Sequence, residues 1–247
     1  MLKISVVTSV FNRKKTIAET LSSVASQDYG LVEHVIQDGA STDGTLDVIK
    51  TVSGPNVVLN SEADAGIYDG INKGILHTTG DIIGLMHSDD LFAAPHILSR
   101  VAQVMEDPDI DGVYGDLDYV AEDDLSRIVR KWRSGDYTPQ KLARGWMPPH
   151  PTLYLRRAVF DQWGMYDTSF QIAADYDAML RYLSKGQIRL AYVPEVFVKM
   201  RVGGESNRSL ARIVQKSRED YRAIHKNGVG GMGTLALKNL SKIEQFF

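Results

Sequence analysis

Through residue 120 the sequence alternates short apolar runs with segments whose apolar residues recur every three or four positions. Strands are predicted at 2–10, 32–38, 57–60, 81–86 and 112–120, and helices between them at 14–26, 45–52, 68–77 and 95–105. Buried strands joined by helices form a mainly parallel sheet with helices on both faces. The pattern therefore predicts an α/β fold whose ligands bind beyond the carboxyl ends of the strands.

After residue 120 the alternation becomes less regular. Strands are predicted at 126–133, 152–155, 188–193 and 196–201, with one helix at 175–184. Two further helices, at 209–226 and 234–247, form a C-terminal helical tail. Because the sequence has no repeat and no long linker, we predict one domain over 1–205, with halves 1–120 and 121–205, followed by the tail 206–247.

The net charge of −3 conceals two halves of opposite charge. Residues 1–124 hold 7 Lys and Arg against 21 Asp and Glu, a net −14, whereas residues 125–247 hold 21 against 10, a net +11. This split indicates that the halves meet different partners, the basic half favouring phosphates or an anionic surface, unless the charges are merely solvated. The absence of Cys excludes a disulfide framework, a zinc-thiolate site and a cysteine nucleophile.

Three of the predicted strands end in polar clusters. The first ends in TSVFN (8–12), the second in DGASTDGT (38–45) and the fourth in HSDD (87–90). Asp, Ser and Gly are also ordinary turn and helix-cap residues, so each cluster is ambiguous by itself. Because the carboxyl ends of parallel strands meet at one edge of a sheet, the three together predict a ligand site there.

The adjacent residues Asp89 and Asp90 are the most informative of these. Two carboxylates at the end of a buried strand repel each other unless a cation is nearby. Mg²⁺ and Mn²⁺ bind one or two protein carboxylates, complete their coordination with substrate phosphate oxygens and neutralise the charge on a departing diphosphate. The alternative is that Asp90 caps the helix that follows.

The order of the motifs resembles that of inverting family-2 glycosyltransferases with the GT-A fold. It runs from TxxxN (8–12) through DGxSxDGT (38–45), GIYDxxNxG (66–74) and SDD (88–90) to ADYD (174–177), and covers at least residues 4–206. The resemblance implies that a UDP-sugar is the donor and that Mg²⁺ or Mn²⁺ is the cofactor.

The resemblance also implies roles for single residues. Asp38 would hold the edge of the uracil ring and Asp90 would ligate the metal, although Ser88 stands where many relatives carry a further Asp. Arg201 begins RVGGES (201–206), which resembles the family's closing loop near the diphosphate. The residues expected to bind the nucleotide-sugar are Thr8, Asn12, Asp38, Asp64, Gly66, Asp69, Asn72, Lys73, Ser88, Asp89 and Arg201.

Direct displacement at an anomeric carbon requires a base that takes the acceptor hydroxyl's proton. The ADYD segment resembles the family's segment that carries this base, and the resemblance implies this role for Asp175. Its competitor Asp177 is expected to cap or orient, and the alternative for Asp175 is a helix N-cap. His150, between two prolines, is a candidate ligand of the metal or diphosphate, or else a structural loop residue. His77, His87 and His96 lack metal-ligand spacing and receive no role.

The tail segment 234–247 has Leu, Ile and Phe residues interleaved with Lys238 and Lys242. Such an amphipathic helix binds an anionic membrane surface with its Lys residues on the polar face, or it docks on the protein's own core or on a second subunit in a homodimer. The N-terminus reads as a strand, and no apolar segment is long enough to span a bilayer. We therefore expect a cytoplasmic protein, peripheral on the membrane's cytoplasmic face, with no nucleic acid partner.

The predicted function is an inverting, metal-dependent glycosyltransferase of the hexosyltransferase type. It would move sugar from a UDP-sugar to a hydroxyl of a saccharide acceptor, carried on a lipid pyrophosphate, in cell-surface polysaccharide biosynthesis. One rival is a sugar-1-phosphate nucleotidyltransferase, which would need a Gly-rich loop where this chain has FNRKK (11–15). The other is a non-catalytic nucleotide-sugar-binding module, against which the combination of Asp89, Asp90 and Asp175 argues.

Overall fold

The first half of the chain forms a parallel sheet with helical connections. The computed structural model describes residues 1–202 and 210–241. Its opening elements are β1 (Ile4–Val10), α1 (Ile17–Ala25), β2 (Val32–Asp38), α2 (Thr45–Val52), β3 (Val57–Ser61), α3 (Ile67–Leu76) and β4 (Ile82–Leu85). The strands lie in the order β3-β2-β1-β4 and are all parallel, so their carboxyl ends share one edge.

The second half extends this sheet with mostly antiparallel pairs. Its elements are β5 (Leu91–Phe92), α4 (Ile97–Val104), β6 (Gly112–Val120), β7 (Ile128–Trp132), α5 (Pro139–Leu142), β8 (Tyr154–Arg156), α6 (Arg157–Trp163), α7 (Ala174–Leu180) and β9 (Leu190–Arg201). The order continues β4-β8-β6-β9-β5, with β7 paired to β6. Only β6 and β9 run parallel here, and β9 ends beside β5, next to the end of β4.

The predicted strands at 188–193 and 196–201 are one strand, β9. The sequence suggested a break because Pro194 has no N–H for a strand ladder. The pairing with β6 continues past Pro194 because the register shifts there. Tyr114 of β6 pairs with Tyr192, but Asp116, two residues further along β6, pairs with Val196, four residues further along β9. The short elements β5, α5 and α6 were not predicted, whereas the bounds predicted for β2, α2 and β6 are correct.

Apolar side chains fill both faces of the sheet. Along β1, Val6 packs into a cluster with Ile97 and Val101 of α4, while its neighbour Val7 packs on the opposite face with Ile71 of α3. This alternation follows from the two-residue period of a strand. The helices of both halves are therefore fastened to a common sheet, which holds the strand ends in fixed positions.

The C-terminal helices α8 (Leu210–Lys226) and α9 (Met232–Ser241) dock on the protein's own core. Ile224 and Leu235 are buried in the cluster that also contains α7. Lys238, expected on a polar face, is instead 4% exposed; its Nζ lies 2.6 Å from Asp220 Oδ1 and 3.3 Å from the centre of the Tyr176 ring.

The predictions on 203–206 and on 242–247 lie outside the described residues. Within the described ranges, no helix is long and apolar enough to cross a membrane.

The Asp220–Lys238 pair yields a stability prediction. Lys238→Met leaves the Asp220 carboxylate buried without its cation, and removal of one partner of a buried pair typically costs about 3–5 kcal/mol. We expect urea denaturation to show a loss of about that size in the free energy of unfolding. The double variant Asp220→Leu/Lys238→Met should recover most of it, because no charge remains buried. An unchanged free energy of unfolding for Lys238→Met would contradict this account.

Candidate functional site

One corner of the site is built where β1 and β2 end. The carboxylate of Asp38, wholly buried, accepts hydrogen bonds from the Ser41 N–H (3.1 Å) and the Ser61 hydroxyl (2.7 Å). Asn12, with a left-handed φ of 51°, accepts from the Thr42 N–H through Oδ1 (2.9 Å). Asn12 and Asp38 are thus brought together, and both hold the loop that follows β2.

Thr8 lies elsewhere than expected. Its side chain is wholly buried, and Oγ1 is 2.8 Å from Nε2 of His34. Alternate residues of a strand point to opposite faces of the sheet, and Thr8 points into the packed interior. The structure therefore does not bring the Thr8 hydroxyl to the open edge with Asn12.

Asp64 lies between the loop after β2 and helix α3. A Cβ at Gly39 or Gly70 would lie 2.4 Å or 2.9 Å from its Oδ2, so only glycine leaves room for the carboxylate. Oδ1 accepts the N–H of Gly66 (2.9 Å), an exposed residue with φ 126° directly before α3. Asp64 and Gly66 therefore belong to the same corner as Asp38.

Three other predicted binding residues lie on α3 and bond to the protein itself. Asp69 accepts a backbone N–H of the preceding turn (3.0 Å), and Lys73 donates to the carbonyl of Ala63 (2.8 Å). The amide of Asn72 donates to the Tyr166 carbonyl (2.8 Å) and accepts from its N–H (3.0 Å). Asn72 thus ties α3 to the second half of the chain, a contact that the sequence did not indicate.

The acidic pair lies beside the end of β9. Asp90 is wholly buried, and its Oδ1 accepts the N–H of Arg201 (3.3 Å). The Arg201 guanidinium donates to the carbonyl of Asp89 (2.7 Å) and pairs with Glu19. Burial raises the pKa of Asp90 well above its ordinary value, Asp89 raises it further, and Arg201 opposes both. Ser88 is also buried, and its carbonyl accepts the Thr16 hydroxyl (3.0 Å).

The residues at this point fit a divalent cation. Asp90 Oδ2 is buried, and no described residue bonds to it. A cation would supply the missing partner and favour the charged form of the carboxylate. In the described part of the chain no three His, Cys, Asp or Glu side chains form a metal-binding group, which is compatible with an ion that takes most of its ligands from water and substrate.

His150 is buried beside Tyr166 and His87. Its Nε2 is 2.8 Å from the Tyr166 hydroxyl, and its ring centre is 5.9 Å from that of His87. Burial lowers the pKa of His150 to about 4, which keeps the ring neutral near pH 7. The structure thus brings it to Tyr166 and His87 rather than into a group of metal ligands among the described residues.

His87, to which the sequence interpretation gave no role, belongs to the site. Burial lowers its pKa, while the charges of Asp89 and Asp175 act in the opposite sense. Its ring therefore lies within electrostatic reach of both the acidic pair and the proposed base.

Asp175 lies in the first turn of α7. Its Oδ1 accepts hydrogen bonds from the Tyr68 hydroxyl (3.1 Å) and the Tyr176 N–H (2.8 Å), and the described residues form no bond with Oδ2. The pKa of Tyr119 is raised first by burial and then by the charges of both Asp90 and Asp175. The charges of the base candidate and of the metal candidate thus both act on Tyr119.

Asp177 has a different environment, although it lies on the same helix. It is wholly buried; Oδ2 pairs with Arg181 (2.8 Å) and Lys226 (3.0 Å), and Oδ1 accepts from the Asn227 amide (2.9 Å). Both of its oxygens are therefore occupied within the protein. Of the two carboxylates, Asp175 is the one with an oxygen to which no described residue bonds.

Residues 5–172 match the sequence model of the family described as glycosyl transferase family 2. The chain belongs to this family. An uncharacterized glycosyltransferase of Mycobacterium tuberculosis is 34% identical over 183 residues, which cover 72% of this chain and 68% of the relative. A PGL/p-HBAD biosynthesis glycosyltransferase of Mycobacterium bovis is 28% identical over 208 residues, which cover 82% and 78%.

Solved structures show the same fold. The mannosyltransferase PcManGT from Pyrobaculum calidifontis, solved with GDP-Man and Mn²⁺, aligns with 98% of this chain and 69% of its own at a TM-score of 0.68 and 19% identity. Staphylococcus aureus TarS 1–349, solved with UDP-GlcNAc, aligns with 92% and 66% at a TM-score of 0.71 and 19% identity.

The comparisons confirm the GT-A fold and the glycosyltransferase class. They decide against the nucleotidyltransferase and the non-catalytic module, the two rivals that the sequence left. The family match ends at residue 172, so α7 with Asp175 and the helices α8 and α9 lie beyond it. The family match therefore does not include the base candidate of this glycosyltransferase, and support for Asp175 comes from its position on α7 and its hydrogen bonds.

The buried His34 generates a pH prediction. Burial lowers its folded pKa to about 3, whereas an exposed His titrates near 6.5. Between these values the unfolded chain binds more protons, so stability falls as the pH falls from 6.5 and does not change through this group above about pH 7.5. At pH 5 the loss from His34 should be roughly 2 kcal/mol.

The measurement compares the wild type with His34→Gln, whose amide reaches the position of Nε2 but does not titrate. We expect the free energy of unfolding in urea to fall less steeply from pH 7.5 to pH 5 in the variant. Equal slopes for the two proteins would refute the assignment.

Proposed function

We propose that this glycosyltransferase moves a sugar from a UDP-sugar to a hydroxyl of a saccharide acceptor with inversion, using a divalent cation held by Asp90. The observation that carries the proposal is the buried Oδ2 of Asp90, next to Asp89, to which no described residue bonds. The charges of Asp90 and Asp175 both act on Tyr119, which supports placing the cation and the base in one site. A cation bound there would neutralise the charge that develops on the leaving diphosphate.

The donor would lie along the edge formed by the strand ends. The corner of Asp38, Asp64 and Gly66 would receive the nucleoside, and Arg201 would add positive charge behind Asp89. That PcManGT and TarS were solved with nucleotide-sugars supports this class of donor. Uracil is proposed on the family resemblance at Asp38.

Asp175 would act as the base. As the acceptor oxygen forms its bond to the anomeric carbon and the bond to the diphosphate breaks, the hydroxyl proton passes to Asp175 Oδ2. The Tyr68 hydroxyl and the Tyr176 N–H hold Oδ1 and so aim the other oxygen. A single displacement of this kind inverts the anomeric configuration.

For the acceptor we propose a saccharide on a lipid pyrophosphate, as used in assembling cell-surface glycans. Support comes from the mycobacterial relatives named for PGL/p-HBAD biosynthesis and from the +11 charge of the second half. Peripheral contact with the membrane surface fits the exposed Leu237 and Leu240 of α9.

A donor panel tests the class of reaction and the cation together. Purified protein is incubated with UDP- and GDP-sugars in Mn²⁺, in Mg²⁺ and in EDTA, and nucleotide release is measured. We expect the wild type to turn over one or a few UDP-sugars and to lose this activity in EDTA. The Asp90→Asn variant should need at least a tenfold higher Mn²⁺ concentration for half-maximal activity, because its metal ligand is weakened. Release that is unaffected by EDTA would contradict the metal assignment, and exclusive use of GDP-sugars would contradict the uracil assignment.

Asp175→Asn tests the base. Its side chain keeps the shape and can still accept the Tyr68 hydroxyl, but it cannot take a proton. We expect transfer to fall by about 10²–10⁴-fold with little change in donor affinity. Asp28→Asn, an exposed aspartate on the surface, is the matched control and should transfer at the wild-type rate. Wild-type transfer by Asp175→Asn would rule out the base assignment.

A further inference from the structure

Helix α8 binds both ends of the segment that carries Asp175. Before α7, Oε2 of Glu219 accepts the N–H groups of Ile172 (2.8 Å) and Ala173 (3.0 Å). On the far side of Asp175, Lys226 at the end of α8 pairs with Asp177 (3.0 Å). The turn that presents the proposed base is thus held by residues more than forty positions later in the sequence.

Glu219 is itself oriented by neighbouring side chains. Its Oε1 accepts the amide of Gln215 (3.0 Å), one helical turn earlier on α8. The same amide donates to the side-chain oxygen of Gln171 (2.8 Å), next to the residues that Glu219 binds. Hydrogen bonds to an ionised carboxylate are among the stronger ones, so this contact fixes the peptide units at 172 and 173.

The position of residue 172 also determines the partner of the base. The Tyr68 hydroxyl lies 2.7 Å from the carbonyl oxygen of Ile172 and 3.1 Å from Asp175 Oδ1. One hydroxyl therefore touches both the peptide that Glu219 holds and the proposed base. If residue 172 moves, the Tyr68 hydroxyl moves with it and its contact with Asp175 Oδ1 changes.

The helix next to α8 contacts the same segment. Lys238 of α9 lies over the ring of Tyr176, and it pairs with Asp220, the residue that follows Glu219. The α8–α9 pair thus contacts the base-carrying turn at 172–173, at Tyr176 and at Asp177. Each contact is made by a different side chain, which limits the movement of the turn in several directions.

We propose that Glu219 is a positioning residue for glycosyl transfer: it holds the turn before α7 so that the Tyr68 hydroxyl and Asp175 keep the geometry needed for proton transfer. The inference rests on the proposed role of Asp175 as the base. It extends the catalytic apparatus into α8, beyond the part of the chain that matches the family model.

The test compares Glu219→Ala with Glu219→Gln, whose amide oxygen can still accept the two N–H groups. We expect Glu219→Ala to lower kcat about 10- to 100-fold with donor KM within twofold, because a small displacement of a reacting group has an effect of that order. Glu219→Gln should retain most of the activity. Arg218→Ala, an exposed neighbour on α8, is the matched control and should keep the wild-type rate.

A double-mutant cycle separates positioning from general stability. In an Asp175→Asn background, Glu219→Ala should cause no more than a two- to threefold further loss, since the base it positions is already gone. The same fold-loss in both backgrounds would overturn the proposal, as would a wild-type kcat for Glu219→Ala. Should Glu219→Ala not fold, Glu219→Asp, which withdraws the carboxylate by one methylene, takes its place in the cycle with the same expectations.

Amide hydrogen exchange gives a readout that does not depend on turnover. Glu219→Ala should exchange faster than wild type at residues 172 and 173 and unchanged in β1 and β2. Unchanged exchange at 172 and 173 would overturn the proposal even if no donor is found. Wild-type activity of Asp175→Asn would refute the proposed base, whereas an inactive Asp175→Asn beside a fully active Glu219→Ala would refute the positioning role alone.

Discussion

The site depends on keeping the carboxylate of Asp90 buried with one oxygen unpartnered by the described residues. Such an arrangement costs free energy unless surrounding groups or a cation compensate it. The compensation comes from distant parts of the chain. Arg201 at the end of β9 donates its N–H to the carboxylate, whereas Thr20 of α1 holds the main chain there by donating to the Asp90 carbonyl oxygen (2.9 Å). The pairing of β9 with β5, the short strand directly after Asp90, therefore brings Arg201 to the acidic pair.

The charge asymmetry has a structural meaning besides a functional one. Several cations of the basic half neutralise buried or half-buried carboxylates, as Lys238 does for Asp220 and Lys226 for Asp177. Arg201 goes further and pairs with Glu19 of the acidic half. Since the net +11 already counts Asp177 and Asp220, only a pair between the halves, such as Arg201 with Glu19, offsets part of that charge.

Regular elements followed from local patterns, and irregular ones did not. β2, α2 and β6 could be predicted because a two- or 3.6-residue period runs through each of them. β5 has two residues and α5 has four, too few for a period to be recognised. The continuity of β9 depended on β6, since a neighbouring strand that shifts its register tolerates Pro194.

The sequence by itself determined the family and the fold, and it predicted a ligand site at one edge of the sheet, because each of these depends on residue types at fixed local spacing. It could not decide which polar side chains face that edge. Asp175 and Asp177 share one helix, yet Lys226 and Asn227 occupy only Asp177. Thr8 and Asn72 have motif positions that suggest a ligand, yet His34 and the backbone of Tyr166 bind them. Only the tertiary structure shows which of these side chains already have partners, since hydrogen-bonding capacity is used by whichever group packs against it, however distant in sequence.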